Sequence, residues 1–164
     1  MNNKRPVLKL NYSWLDKIIT SVAFIALAAS FLLVFMNLGN LPSKVPTHAD
    51  ATGNVNGWGS KYVLIILPII NIIMFLSLIA LSKFPHIYNY PVEITEENAE
   101  YQYRNARSLM INLNALCTVM FAYICWQSVQ LAKYGKDSGI IFVFLFILIM
   151  FIAIAYYAVK AMKN

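Results

Sequence analysis

Gly139-Ile140-Ile141-Phe142-Val143-Phe144-Leu145-Phe146-Ile147-Leu148-Ile149-Met150-Phe151-Ile152-Ala153-Ile154-Ala155-Tyr156-Tyr157-Ala158-Val159 runs for 21 residues without an Asp, Glu, Lys or Arg. At about 1.5 Å of rise per residue, a helix of this length crosses a hydrocarbon layer of about 30 Å. Three further stretches share the property: Ile18 to Leu38, Tyr62 to Ser82 and Ser108 to Ala132. A chain in lipid must satisfy its backbone polar groups internally, and no alternating run of strand length competes with the helical reading. The expected fold is therefore all-α: one integral membrane four-helix bundle over residues 1–164.

Composition agrees. Apolar residues make up 60% of the 164, charged residues 12%, and the mean hydropathy is +0.62. These values lie far from those of soluble domains. Four spans use about half the chain, which leaves no room for a sizeable catalytic domain outside the membrane. The net charge of +6 does not point to nucleic acid, because the 13 Lys and Arg are scattered between apolar runs instead of lining one helix.

The basic residues report orientation instead. Lys4, Arg5, Lys9, Lys17, Lys83, Arg104, Arg107, Lys160 and Lys163 make nine on one side, against Lys44, Lys61, Lys133 and Lys136, four on the other. The positive-inside bias puts both termini and the loop over residues 83–107 in the cytoplasm of a bacterial inner membrane, and the loop over residues 39–61 outside. Tyr12, Trp14, Trp58, Tyr62, Trp126, Tyr134, Tyr156 and Tyr157 mark the borders as an aromatic belt does. Ala26-Leu27-Ala28 resembles a signal-peptide cleavage site, but apolarity continues beyond it through Met36, so the first helix reads as retained.

The loops differ in character. Phe84-Pro85-His86 to Tyr90-Pro91 should be turned or extended. From Thr95, a candidate N-cap with Glu96 and Glu97 in the first turn, one helix is expected from about Glu96 to Leu131, with a Glu100 to Arg104 pair on its surface. Lys133 to Ser138 is short enough to make the third and fourth helices an antiparallel hairpin. Gly39 to Lys61, by contrast, is 23 residues long and holds four of the six Gly and two of the six Pro. That length is excessive for a passive connection, so an ordered cap is expected, with a tight turn at Asn56-Gly57 and positive φ available at Gly53 and Gly59.

Few residues carry chemistry. His48 and Asp50 stand two apart, short of the ligand count zinc needs, and His86 lies across the membrane from them. Asp50, Thr52, Asn54 and Asn56 suggest a calcium loop, yet counting from Asp50 the twelfth position is Lys61, where a bidentate Glu is required. Neither a metal nor a cofactor is expected. No Ser-His-Asp set, phosphate loop or His-Glu-x-x-His segment occurs, and no catalytic residue is assigned. Within the spans the polar residues include Ser30, Asn71, Asn112, Asn114, Thr118 and Gln127, with no charge near the midplane of the kind that ion-coupled transport uses. Asn71, Asn112 and Asn114 read either as interhelical glue or as a neutral polar pocket. Cys117 and Cys125, eight residues apart on one helix and so roughly 12 Å apart along its axis, cannot pair with each other.

Leu41-Pro42, Pro46, His48, Asp50, Gly53 and Gly57-Trp58-Gly59-Ser60-Lys61, set between two spans, carry a pattern. It resembles the bacterial membrane domain of unknown function found in the N-terminal half of Sdp-type toxin immunity proteins. Tyr90-Pro91-Val92-Glu93-Ile94-Thr95-Glu96-Glu97-Asn98-Ala99-Glu100-Tyr101-Gln102-Tyr103 resembles the segment after the second span in small stand-alone members, so the likeness covers about residues 15–130. It implies a multi-pass protein that protects a cell from its own peptide toxin or signals to a repressor. The family pattern often has Asp where this chain has Asn56, and the extra spans of full-length members are missing from the stretch compared.

The resulting expectation is a membrane protein whose outer loop recognises a hydrophobic peptide or another membrane protein through His48, Asp50, Asn54, Asn56, Trp58 and Lys61. The rival expectations are a small-ligand or transport module built on Asn71, Asn112 and Asn114, and a structural partner subunit.

Overall fold

The computed structural model describes residues 5–50, 54–135 and 139–163. The expectations that rest on Lys4, Thr52, Gly53 and Lys136 therefore lie outside the described residues. Four helices follow in order: α1 (Trp14–Leu38), α2 (Ile66–Ser82), α3 (Ala99–Tyr134) and α4 (Ile140–Met162). All four are long and apolar enough to cross a membrane when the 3-10 turn at Lys61–Ile65 is counted with α2. Between α1 and α2 the chain forms two strands, β1 (Lys44–Ala49) and β2 (Val55–Ser60), paired antiparallel.

The sheet corrects the all-α expectation. Sequence periodicity misses it because β1 holds Pro46 and β2 holds Gly57 and Gly59, and the register is irregular on both sides of His48. Such bulges interrupt the two-residue alternation by which a strand is read. Asn56-Gly57 does not form the tight turn expected there but lies inside β2. Among the described residues Gly135 alone has positive φ, so Gly59 serves by its small size: a Cβ there would stand 2.8 Å from Thr47 Cγ2.

α3 is the central post. It packs against α1, α2 and α4, whereas α4 rests chiefly on α3. Consequently α4 leaves Ile141, Phe144 and Phe151 on its surface, each more than three-fifths exposed. Ala23, Leu27 and Phe75 form a buried cluster midway along the helices, and Val34, Leu41, Val45, Leu64 and Cys125 form another beneath the hairpin.

Helix boundaries have local causes. Ser13 caps α1 by accepting from the Asp16 N–H at 3.0 Å, while the Asp16 carboxylate accepts from the Ser13 N–H at 3.0 Å. This reciprocal box satisfies two otherwise orphaned donors. Thr95 and Asn98 exchange backbone-to-side-chain bonds at 2.9 and 3.4 Å, so the chain turns at Thr95 and the regular helix begins at Ala99, three residues beyond the expected start. The Thr95 hydroxyl also holds the Glu97 carboxyl below the usual range, followed in importance by the Glu97 backbone N–H. The Glu100–Arg104 pair forms at 2.8 Å, and α3 continues unbroken through residues 105–108. It stops at Gly135, whose φ of 67° lets its N–H reach the Leu131 carbonyl at 2.9 Å.

The N-terminal segment meets the 83–98 connection, and the end of α4 meets the start of α3, at one end of the bundle, called here the termini end; the strands lie at the other, the hairpin end.

Candidate binding site

At the hairpin end β1 leans over the last turns of α3, leaving a cleft of about 290 Å³ that opens to the surface. Its walls are Thr47, His48 and Asp50 from the hairpin, Tyr123, Gln127 and Ser128 from α3, and Gly139 and Val143 at the start of α4. Tyr123, Gln127 and Leu131 follow a four-residue spacing, so α3 turns one face toward the cleft. The Tyr123 hydroxyl donates to the Gly139 carbonyl at 3.3 Å, and its ring packs at 5.5 Å from Phe142. A Cβ at Gly139 would stand 2.6 Å from Gln127 Cδ and 2.7 Å from Tyr123 Oη, so a side chain there would displace both. The floor is thus apolar and aromatic while the rim offers imidazole, carboxylate, amide and hydroxyl groups, a combination common to sites that bury an apolar ligand and orient it with a few polar contacts.

The six loop residues singled out from sequence divide into three arrangements. His48 and Asn56 meet across the strands, with Nδ1 against Oδ1. The Asp50 carboxylate accepts from the Asn54 N–H at 2.9 Å and from Asn54 Nδ2 at 3.4 Å, which closes the hairpin turn. Trp58 and Asn54 face a second recess, about 320 Å³ in volume and shared with Pro42, Lys44 and Gly135. Trp58 is 64% exposed. Lys61 belongs to neither recess. Its Nζ donates to the Leu41 carbonyl at 3.3 Å and its backbone N–H to the Ser43 carbonyl at 3.1 Å, so it fastens the neck of the hairpin. Tyr123, Ser128 and Gly139 escape the sequence reading, although the i, i+4 placement of Tyr123 and Gln127 is the signal that could have joined them.

The three intramembrane asparagines do not form one pocket. Asn71 Nδ2 donates to Ser30 Oγ and to the Thr118 carbonyl, each at 3.3 Å, and Asn114 accepts from Thr118 Oγ1 at 3.3 Å while donating to the Phe75 carbonyl at 3.4 Å. This knot joins α1, α2 and α3, and its side chains are essentially inaccessible. Asn112 stands apart on the α4 side, donating to Tyr157 Oη at 3.0 Å and to the Ser108 carbonyl at 2.8 Å. The trio separates because residues two apart on a helix point in different directions, so Asn112 and Asn114 serve different neighbours.

Comparison with known proteins places these strands in a recognisable stretch of sequence. Residues 25–72, which run from within α1 through the hairpin into α2, match a domain of unknown function (DUF1648). No curated protein and no solved structure matches the chain. The matched stretch contains all six loop candidates and Asn71, but none of the α3 and α4 residues that complete the cleft.

Proposed function

We propose that this protein is a four-span protein of the bacterial inner membrane, with both termini cytoplasmic and the hairpin outside, that recognises a hydrophobic peptide or an apolar segment of another membrane protein in the cleft beneath β1. The observation that carries the reading is the cleft itself: an apolar and aromatic floor, with His48, Asp50 and Gln127 at its rim, assembled from three separate parts of the chain. Burial of an apolar side chain on that floor favours binding by about 25 cal/mol per Å² removed from water, and the rim groups set orientation. The role is one of binding rather than catalysis. Immunity to a membrane-active peptide toxin, or signalling of its presence, is the biological setting that fits such a surface.

Two experiments test this. Labelling of a Cys placed at Ser43 by an impermeant maleimide in intact cells should succeed; protection until the cells are lysed would overturn the orientation. Loss of the gene should sensitise cells to a membrane-active peptide, and His48→Ala or Trp58→Ala should copy the loss. Unchanged survival of all three strains across a panel of such peptides would overturn the recognition role.

A further inference from the structure

The termini end contains a charge that the protein does not neutralise. Arg107, on α3, is 5% exposed. Its Nε donates to the Ser82 carbonyl at 3.2 Å, its Nη1 donates to the Leu10 carbonyl at 2.9 Å, and its guanidinium lies over the Tyr12 ring at 4.9 Å from the centroid. All three partners are formally neutral. Among the described residues the only ion pair is Arg104 with Glu100, so no carboxylate lies within ion-pair reach of Arg107. Asp16, the nearest acidic candidate on α1, has its carboxylate engaged by the Ser13 N–H and by Ser108 Oγ at 3.1 Å. The carbonyl at the C-terminus of α2 contributes at most about half a negative charge through the helix dipole.

Arg107 also lines a recess of about 420 Å³, and the other cationic groups on its wall are Lys9 and Lys83. His86, Tyr12 and Phe84 complete its polar and aromatic side, and Val7 and Leu8 supply an apolar lip. Among the described residues no Asp or Glu contributes to the wall. A buried cation with two more beside it and no anion is costly unless a counter-charge arrives from outside. Guanidinium and ammonium groups converging on one recess are the donors that hold a phosphate.

We infer that this recess binds a phosphate-bearing anion, with Arg107 at its base and Lys9 and Lys83 at its rim. The apolar lip beside the cations suits a phosphodiester that carries acyl chains, and a basic pocket at the cytoplasmic border of a membrane helix bundle is a suitable place for an anionic lipid headgroup. That source rests on the membrane orientation proposed above; the phosphate chemistry does not, and neither depends on the hairpin cleft.

The test uses the full chain purified in a mild uncharged detergent, with calorimetric titration at fixed ionic strength. The probes are dihexanoyl phosphatidylglycerol, dihexanoyl phosphatidylcholine and inorganic phosphate. Saturable binding of phosphatidylglycerol, tighter than of phosphatidylcholine and weakened about tenfold or more by the double variant Lys9→Gln/Lys83→Gln, is expected. Binding of inorganic phosphate that is as tight and as sensitive to the double variant would retain the site and assign it to a soluble anion. Absence of saturable binding by every probe, or binding unchanged by the double variant, would overturn the proposal. Arg107→Lys provides a second variant that keeps the charge and loses the fork, and it should weaken the same titration without abolishing it. Neither lysine side chain makes a hydrogen bond or ion pair shown for the fold, and the Lys83 N–H bond to the Ala80 carbonyl is kept by any residue there, so the double variant tests the ligand independently of folding. The Ser43 labelling experiment reports orientation separately, which distinguishes failure of this site from failure of the topology.

Discussion

Within the strand pair the polar side chains satisfy one another over short stretches of chain: His48 with Asn56, and Asp50 with Asn54. At the termini end they reach much further. Arg107 bonds to carbonyls 25 and 97 residues away, Gln102 donates to the Ala161 carbonyl at 2.9 Å, Asn105 donates to the Tyr157 carbonyl at 3.0 Å, and Asp16 accepts from Ser108. Local pairs move with the strand that carries them, whereas long-range pairs resist any relative shift of the elements they join. The strand pair is therefore the part able to adjust to a ligand, and the termini end is tied across the bundle by its long-range bonds. Segments that open or reshape on binding belong to the less tightly tied parts of a fold.

The comparison breaks most visibly at Arg107. Replacing it with Leu removes two hydrogen bonds from a charged donor, each worth about 1.5 to 3 kcal/mol, which outweighs the relief of a buried charge, so a net loss of about 2 kcal/mol is expected in unfolding of the detergent-solubilised protein. A smaller loss than that caused by His48→Ala would invert the assignment of rigid and adjustable ends. Ser13→Ala comes next, at about 1 kcal/mol, because it removes the cap of α1 and loosens Asp16, which joins α1 to α3. Asn71→Leu tests the knot lying between the two ends. It should cost about 1 kcal/mol, two interhelical polar contacts at about 0.6 kcal/mol each in a membrane protein, and leave ligand binding at the cleft unchanged. A loss of cleft binding on that substitution would mean that the knot belongs to the site.

His48→Ala should alter stability by less than about 0.5 kcal/mol, since the hairpin pairing is carried by the backbone, while abolishing protection against the peptide. The smallest effect concerns pH. The Tyr88 phenol donates to the Leu81 carbonyl at 2.6 Å, and burial pushes its pKa from 10.0 up to about 12, against the opposing charge of Arg107. A pKa raised in the folded state contributes stability in full below the unfolded value, and that contribution disappears as pH rises through about 12. Tyr88→Phe should remove one late-titrating phenol from the ultraviolet absorbance titration and flatten the alkaline stability loss between those two values. An unchanged titration curve would place the late phenol elsewhere.

How far the sequence was legible follows the range of the forces involved. The apolar runs and the Glu100–Arg104 pair depend on residues within a few positions of one another and can be read directly, whereas the helix start read at Thr95 is shifted because Asn98, not Thr95, is the N-cap. The strand pair could not be read, because Pro46 and two glycines hide its alternation and its register depends on contact between two segments. Part of the cleft was visible as His48 and Asp50. Its other wall was not, since Tyr123 and Gly139 matter only because α3 and α4 are brought under β1.

Sequence alone determined that four segments are apolar for long enough to cross a bilayer, because a transfer preference summed over about 20 residues outweighs any single neighbour. Only the tertiary structure decided which polar residues meet: that Lys61 fastens the hairpin neck, that Asn112 parts from Asn114, and that Arg107 is buried beside two lysines with no carboxylate to answer it. A side chain's partners are set by the packing of elements distant in the chain, and no local pattern encodes that packing.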